Sequence, residues 1–312
     1  MSDRESQLAG SVLMIRPVRF QSNPLTAASN RFQGKTSASA AEQQDAALAE
    51  FEQLVAALRD VGVCVEVVDD TPEPHTPDAV FPNNWVSFHA DGRAVVYPME
   101  AENRRTERRR DVIELLDRER GYHLSDIVDL SEHEARDHFL EGTGSLVLDR
   151  VNRIAYACLS SRTDLDPLGD FAQRMDYEIV AFDAVDRDGA PIYHTNVLMS
   201  IGEALAIICA EAIADEGQRA AVMESLRESG HDILELSYDQ LKAFAGNMLE
   251  LRAADGSRVV AMSGQAWASL DDAQRAMLEA NGRIVAVPID TIEASSGGSV
   301  RCMLAEIHLP KA

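Results

Sequence analysis

The fold is decided near the end of the chain, by the stretch Ser295-Ser296-Gly297-Gly298-Ser299-Val300-Arg301-Cys302-Met303-Leu304. Small residues there lead into a cysteine and then into the apolar pattern of a strand. Gly297 and Gly298 allow backbone N–H groups to approach a ligand closely. A cysteine placed between such a loop and a strand is either an exposed nucleophile or a buried structural thiol. The rest of the chain decides between these two interpretations.

From residue 84 onward the chain repeats one pattern: a strand, a turn, a second strand, a helix and a third strand. Five copies start roughly 50 to 60 residues apart, at Asn84, Gly144, Asn196, Asn247 and Ser299. The fifth copy contains only a first strand before the chain stops. The N-terminus supplies the missing elements, with a strand over 12–20, a helix ending at Asp60 and an apolar strand over 63–68.

Because the two ends complete one unit, the repeat predicts a closed ring. We predict a single α/β domain over residues 1–312, a pseudo-symmetric five-bladed propeller of strand–strand–helix–strand units with the helices outside. The last blade is closed by both termini. The alternative is an open α/β sheet whose regularity is a coincidence. In a ring the equivalent strand starts meet at one end of the axis, so they are expected to surround one pocket.

Composition narrows the class of protein. The 312 residues are 46% hydrophobic and 26% charged, with a net charge of -23, which disfavours nucleic-acid and anionic-membrane partners. Residues 1–10 do not resemble a signal peptide, and no apolar run approaches the roughly 20 residues of a membrane span. The four cysteines are far apart and form no C-x-x-C pair. We therefore expect reduced thiols in a cytoplasmic protein, without a metal site or an organic cofactor.

Three chemically capable residues lie beside the repeat starts. Glu141 precedes two glycines, His194 opens an apolar strand, and Cys302 follows the C-terminal loop. Each has a structural interpretation alone, as a turn carboxylate, a hydrogen-bonded histidine and a buried thiol. Together they suggest a thiol nucleophile whose proton is taken by the histidine. The carboxylate then either orients the imidazole or hydrogen-bonds the NH groups of a substrate, and spacing alone leaves both open.

The ring and its motifs together resemble the pentein, or guanidine-modifying, superfamily of arginine deiminases, dimethylarginine dimethylaminohydrolases and amidinotransferases. The chain is most similar to the amidinotransferase-like branch that contains citrulline hydrolases. The motifs that carry the resemblance are Phe81-Pro82-Asn83-Asn84, Glu141-Gly142-Thr143-Gly144, His194-Thr195-Asn196 and Gly297-Gly298-Ser299 with Cys302. The resemblance implies that Cys302 attacks the central carbon of a guanidinium or ureido group, that His194 is the acid/base, and that Glu141 is its carboxylate partner.

The resemblance also nominates residues that bind substrate. Arg162 is expected to hold a substrate carboxylate, and Arg105, or Arg104 after a one-residue shift, is expected to form a second such site. The remaining candidates are Phe81, Asp78, Asn84 and Asn196. Arginine-processing relatives carry carboxylates where this chain has its two asparagines. Amide side chains suit a neutral ureido group better than a guanidinium, although Asp78 and Glu141 could still serve a cation.

We therefore predict a hydrolase of non-peptide C–N bonds, most consistent with conversion of citrulline to ornithine, carbon dioxide and ammonia. One rival keeps the fold but acts on a guanidine, as an arginine deiminase, a dimethylarginine-type hydrolase or an amidinotransferase. Another is a non-catalytic amino-acid-binding protein, and a third is an unrelated α/β protein with a structural thiol. The expected partner is a small ureido or guanidino amino acid, and a homodimer is one option.

Overall fold

The computed structural model describes residues 5–34 and 38–311. Within these ranges, fifteen strands form five sheets of three strands each. In chain order the strands are β1 (Ser11–Arg16), β2 (Cys64–Asp69), β3 (Val86–Phe88), β4 (Arg93–Val96), β5 (Asp126–Asp129), β6 (Val147–Asp149), β7 (Ile154–Leu159), β8 (Glu178–Asp183), β9 (Met199–Ile201), β10 (Leu205–Ile208), β11 (Asp232–Glu235), β12 (Leu249–Arg252), β13 (Arg258–Ser263), β14 (Arg283–Val287) and β15 (Ala305–Glu306).

All five sheets have the same topology, with strand orders β15-β1-β2, β3-β4-β5, β6-β7-β8, β9-β10-β11 and β12-β13-β14. The middle strand pairs antiparallel with one neighbour and parallel with the other. In the first sheet, β1 from the N-terminus pairs with β15 from the C-terminus, and Leu13 lies opposite Ala305. The predicted five-bladed α/β-propeller, closed by both termini, is confirmed.

Helices connect the parallel strands, because a parallel pair requires a long crossover. The helices in these crossovers are α1 (Ala40–Asp60), α2 (Arg110–Arg120), α4 (Leu165–Met175), α6 (Glu216–Glu228), α8 (Gly264–Ser269) and α9 (Asp272–Asn281). Shorter helices lie between consecutive sheets, and they are α3 (Gly142–Ser145), α5 (Thr195–Leu198), α7 (Tyr238–Lys242) and α10 (Asp290–Ser296). The helix α1 begins with a capping box in which Ser39 accepts from the backbone N–H of Glu42, and it buries Phe51 and Leu54. No described helix is both long and apolar enough to cross a bilayer.

The inner strands of the blades are β3, β6, β9, β12 and β15. Inner strands of neighbouring blades pack against each other, as β15 does with β3, β6 with β9, and β9 with β12. The sequence pattern places Asn84, Gly144 and Asn196 in these strands. In the structure they lie in short helical turns just before them, over Pro82–Asn84, Gly142–Ser145 and Thr195–Leu198. A helical turn gathers consecutive side chains, whereas a strand sends them to alternate faces. These turns therefore present several polar side chains at the same end of the ring.

Candidate active site

A small cavity lies at the end of the ring where these helical turns meet. It is lined by six of the sequence-predicted residues, Asp78, Phe81, Asn84, Arg162, His194 and Cys302. Each of these side chains is almost fully buried. Most of the candidate residues named from the sequence therefore surround one buried cavity.

Glu141 and His194 form a hydrogen-bonded pair beside this cavity. His194 Nε2 lies 2.9 Å from Glu141 Oε2, and Glu141 Oε1 accepts from the backbone N–H of Glu100 at 3.1 Å. Burial opposes ionisation of Glu141, but Arg162, the His194 hydrogen bond and Arg104 hold the pKa of its carboxyl well below the usual range. An ionised carboxylate only accepts, so Nε2 of His194 carries the proton and Nδ1 is the free base.

The charge state of His194 follows from the same surroundings. Burial lowers the pKa of His194 to about 4, against the opposing effect of Glu141. The imidazole is therefore neutral at pH 7 in the free site. A neutral imidazole can accept a proton, but it does not offer a resident positive charge to a thiolate. Both carboxylate oxygens of Glu141 have partners, and Oε2 is the one that faces His194.

Two arginines lie in the cavity wall. Arg104 Nη1 donates to Asn84 Oδ1 at 3.0 Å and lies 3.6 Å from Glu141 Oε2. Arg104 also binds both carboxylate oxygens of Glu107, through Nε at 3.0 Å and Nη2 at 2.9 Å. Arg162 Nη1 lies 3.4 Å from Glu141 Oε2, and its guanidinium stacks 4.9 Å above the ring centroid of Tyr193. The two cations therefore converge on the same carboxylate.

Arg105, the preferred candidate for the second carboxylate site, lies elsewhere. Its Nε donates to the carbonyl of Met99 at 3.1 Å, and its guanidinium lies over the ring of Phe139. The Glu102–Glu107 segment is a 3-10 turn, and α2 begins only at Arg110. That turn directs Arg104, the one-residue-shift alternative, into the cavity and Arg105 away from it.

Cys302 lies in the Val300–Met303 turn, where two asparagine amides face its sulfur. Asn247 Nδ2 is 3.3 Å from Cys302 Sγ, and Asn196 Nδ2 is 3.5 Å from it. Asn196, predicted to face the substrate, therefore also contacts the sulfur. Asn84 instead donates to Asn83 Oδ1 at 2.9 Å while it accepts from Arg104.

Phe81 and Asp78 complete the sequence-predicted set. A Cβ at Gly298 would lie 2.8 Å from the ring of Phe81, so the glycine backbone packs directly on that ring. Asp78 Oδ2 accepts from Asn23 Nδ2 at 2.7 Å. Its Oδ1 is buried and has no hydrogen-bond partner among the described residues. That oxygen is a free acceptor in a cavity that otherwise presents cations and amides.

A covering loop, residues 20–34, closes the cavity from above. Its Thr26 and Asn30 line the cavity, and Asn30 Nδ2 donates to the carbonyl of Ser296 at 2.9 Å. Arg162 Nη2 donates to Ser29 Oγ at 2.8 Å and to the Thr26 carbonyl at 3.3 Å. The sequence alone predicts no role at the site for this covering loop, because hydrogen bonds between distant segments leave no periodic signal.

Gly144 is needed for the approach of Asn84 and His194. A Cβ at this position would lie 2.6 Å from Asn84 Nδ2 and 2.7 Å from His194 Nδ1. We expect Gly144→Ala to displace both side chains and to lower kcat by about 100-fold, the usual consequence of a misplacement near 1 Å. Steady-state kinetics will check this. The matched control is Gly169→Ala on α4, where no atom lies within 4 Å of the added methyl group. Equal kcat in Gly144→Ala and the wild type would contradict the prediction.

A group with metal-ligand chemistry lies outside this cavity, formed by Glu132, His133 and Asp170. His133 Nε2 lies 3.1 Å from Asp170 Oδ2, and Arg136 donates to His133 Nδ1 at 2.8 Å. Arg174 lies beside both carboxylates. Arginine side chains therefore already satisfy the atoms that a metal ion would use.

A family model described as "N,N dimethylarginine dimethylhydrolase, eukaryotic" matches residues 16–309. A search of curated proteins found no match. Among solved structures, the N-terminal domain of ArgZ, an arginine dihydrolase from the ornithine-ammonia cycle in cyanobacteria, matches with a TM-score of 0.72 and 18% identity over 96% of this chain and 98% of that one. Unliganded AgrE matches with a TM-score of 0.73 and 18% identity, over 97% of this chain and 40% of that one. DDAH from Pseudomonas aeruginosa, in complex with citrulline, matches with a TM-score of 0.64 and 14% identity over 95% and 98% of the two chains. At these identities the structural matches establish a shared fold.

Proposed function

This chain belongs to the N,N-dimethylarginine dimethylhydrolase family of guanidino-group hydrolases, which act on non-peptide C–N bonds, and from that premise we propose that it hydrolyses the ureido group of a free amino acid such as citrulline. The predicted superfamily is confirmed by this match. The family description itself favours the guanidine alternative, so the citrulline assignment rests on the charges in the cavity.

One observation carries the proposal: the carboxylate next to the reacting residues is already neutralised. Arg104 and Arg162 lie 3.6 and 3.4 Å from Glu141 Oε2, and both of their side chains are buried. A guanidinium substrate would be a third cation in this small cavity. Its desolvation would be costly, because Asp78, the cavity carboxylate that keeps an unpartnered oxygen, is needed for the α-ammonium group of the same substrate. A neutral ureido group adds no charge, and its carbonyl and NH groups match the amides of Asn84 and Asn196.

The other end of the cavity suits an α-amino acid. Guanidinium groups bind carboxylates through paired N–H donors, which makes Arg162 and Arg104 the candidates for the α-carboxylate. The unpartnered Asp78 Oδ1 is the candidate acceptor for the α-ammonium group. This assignment keeps the predicted roles of Arg162 and Asp78. It gives the role first proposed for Arg105 to Arg104.

The proposed reaction starts with His194 protonated on Nε2 and unprotonated on Nδ1. His194 Nδ1 takes the proton of Cys302, and Sγ attacks the ureido carbon. The bond to the terminal nitrogen breaks, and ammonia leaves with the proton that His194 returns. The product is a thiocarbamate on Cys302. Water then cleaves the C–S bond to regenerate the thiol and release an N-carboxy amino acid, which breaks down to ornithine and carbon dioxide.

A second candidate is hydrolysis of arginine or a methylated arginine. The family match favours it, and Asp78 Oδ1 is a free carboxylate oxygen for a cation. With a guanidinium the same attack by Cys302 would release ammonia, or dimethylamine from dimethylarginine, and leave a thiouronium on the sulfur. Water would then cleave the C–S bond and release citrulline.

The two candidates differ in an assay of purified protein with citrulline, arginine and dimethylarginine in parallel. We expect ornithine and ammonia from citrulline, with kcat/KM for arginine about 100-fold lower. We also expect a similar fall for the citrulline analogue that lacks the α-carboxylate, because it loses the charge-assisted hydrogen bonds that Arg162 would donate to that group. A Cys302→Ser preparation gives the background.

Citrulline and ammonia from arginine, or dimethylamine from dimethylarginine, at the higher kcat/KM would reject the ureido proposal and support the guanidine candidate. No turnover of any of these compounds would favour the non-catalytic binding protein.

We also propose that residues 1–312 form one catalytic domain that acts in the cytoplasm without a metal or organic cofactor. A homodimer is one option for its assembly.

A further inference from the structure

We propose that Asn247 is a positioning residue that holds the sulfur of Cys302 and stabilises its thiolate by hydrogen bonding. The inference rests on the proposed function, because it takes Cys302 as the nucleophile. It adds a residue from the fourth blade to the Cys302, His194 and Glu141 set.

The orientation of the Asn247 amide is fixed by two backbone groups. Its Oδ1 accepts from the N–H of Arg301 at 3.1 Å, and its Nδ2 donates to the carbonyl of Asn196 at 2.9 Å. Both contacts would be lost if the amide were flipped. The second N–H of Nδ2 is then directed at Cys302 Sγ, 3.3 Å away. Asn247 is completely buried, so water does not compete for that donor.

The segment that carries Asn247 is held in an unusual conformation. Phe244 has a φ of 60°, in the left-handed region that non-glycine residues rarely adopt. A Cβ at Gly246 would lie 2.5 Å from the carbonyl oxygen of Val197, so only glycine allows this approach to the neighbouring blade. Backbone conformations of this kind persist where the surroundings require them, and they cluster at functional sites. Here the result is that the buried Asn247 amide lies next to the sulfur.

The charged groups around Cys302 do not supply a free positive charge for a thiolate, which leaves that role to a hydrogen-bond donor such as Asn247. His194 is neutral at pH 7, because burial lowers its pKa to about 4. Arg104 and Arg162 are paired with carboxylates. Both asparagines present Nδ2 and Oδ1 to Sγ, at 3.5 and 3.8 Å for Asn196 and at 3.3 and 3.7 Å for Asn247. Backbone hydrogen bonds fix the orientation of the Asn247 amide, whereas the Asn196 amide has no other hydrogen-bond partner among the described residues. Asn247 is therefore the donor whose direction the fold specifies.

Asn247→Asp tests this because it keeps the shape and the acceptor for Arg301 but places a negative charge where the donor was. The measurement is the rate of alkylation of Cys302 by iodoacetamide as a function of pH, with peptide mass spectrometry to separate the thiols. We expect alkylation at neutral pH to slow by about 10- to 100-fold and the midpoint of the profile to rise by about one to two pH units. The exposed Cys64 in the same sample is the internal control and should keep its wild-type profile.

Asn247→Ala is the second variant, since it removes the donor without adding charge, and it should move the Cys302 profile in the same direction by less. Thermal unfolding of both variants identifies any loss of folded protein. A Cys302 profile that coincides with the wild type in either folded variant would overturn the inference. Full turnover by Cys302→Ala would instead reject the proposed function, whereas an inactive Cys302→Ala beside an unshifted Asn247→Asp profile rejects only the role of Asn247.

Discussion

Cys302→Ala is expected to lower turnover of every substrate by at least about 10⁴-fold, because it removes the atom that forms the covalent intermediate. The side chain is buried in a turn between two asparagine amides, so its replacement by alanine removes one sulfur atom and leaves the hydrogen bonds of Asn247 to the backbone of Asn196 and Arg301 in place. The folded state should therefore persist. Kinetics of product formation will check the loss of activity, and circular dichroism will check the fold.

The matched control for this substitution is Cys64→Ala, which changes an exposed thiol on β2 far from the cavity. It should retain wild-type kcat and KM. Substantial residual turnover by folded Cys302→Ala would mean that the sulfur is not the nucleophile. Mass spectrometry of the wild-type protein quenched during turnover should in addition reveal an adduct on the peptide that contains Cys302.

Glu141→Gln is expected to lower kcat by about 10²- to 10⁴-fold with little change in KM. Glu141 accepts a hydrogen bond from the Nε2–H group of His194. That interaction raises the pKa of the imidazole, whereas burial lowers it. A neutral glutamine removes most of this support. His194 then becomes a weaker base, and it can adopt the wrong orientation. The measurement is kcat as a function of pH for both proteins.

The pH profile of kcat for Glu141→Gln should also shift in a defined direction. His194 has to be unprotonated to accept the proton of Cys302, so its pKa sets an acid limb of the profile. Because Glu141 raises that pKa, its removal should move this limb to lower pH while the plateau falls. A limb that moves to higher pH would contradict the assignment. Glu134→Gln is the control, because Glu134 also pairs with arginines but lies outside the cavity, and it should leave the profile where it is.

Much of the fold was predictable from the repeat. Local apolar periodicity reports which face of each segment is buried, and the order of segments recurs along the chain. β1 pairs with β15, as the closure argument requires. The repeat predicts one helix between the second and third strands of each unit, but in the fourth unit the structure has two helices, α8 and α9. A capping box at Asp271 starts the second one, and amphipathic periodicity alone does not reveal such a break.

The sequence by itself determined the five-bladed ring and the meeting of Cys302 with His194 and Glu141, because equivalent repeat positions must lie at the same end of a closed ring. Only the tertiary structure decided which arginine enters the cavity. Arg104 and Arg105 are adjacent in sequence, and a 3-10 turn sends them in different directions. The same holds for the sulfur contact of Asn247 and for the covering loop. These are contacts between distant segments, whose geometry depends on how the blades pack and not on any local pattern of residues.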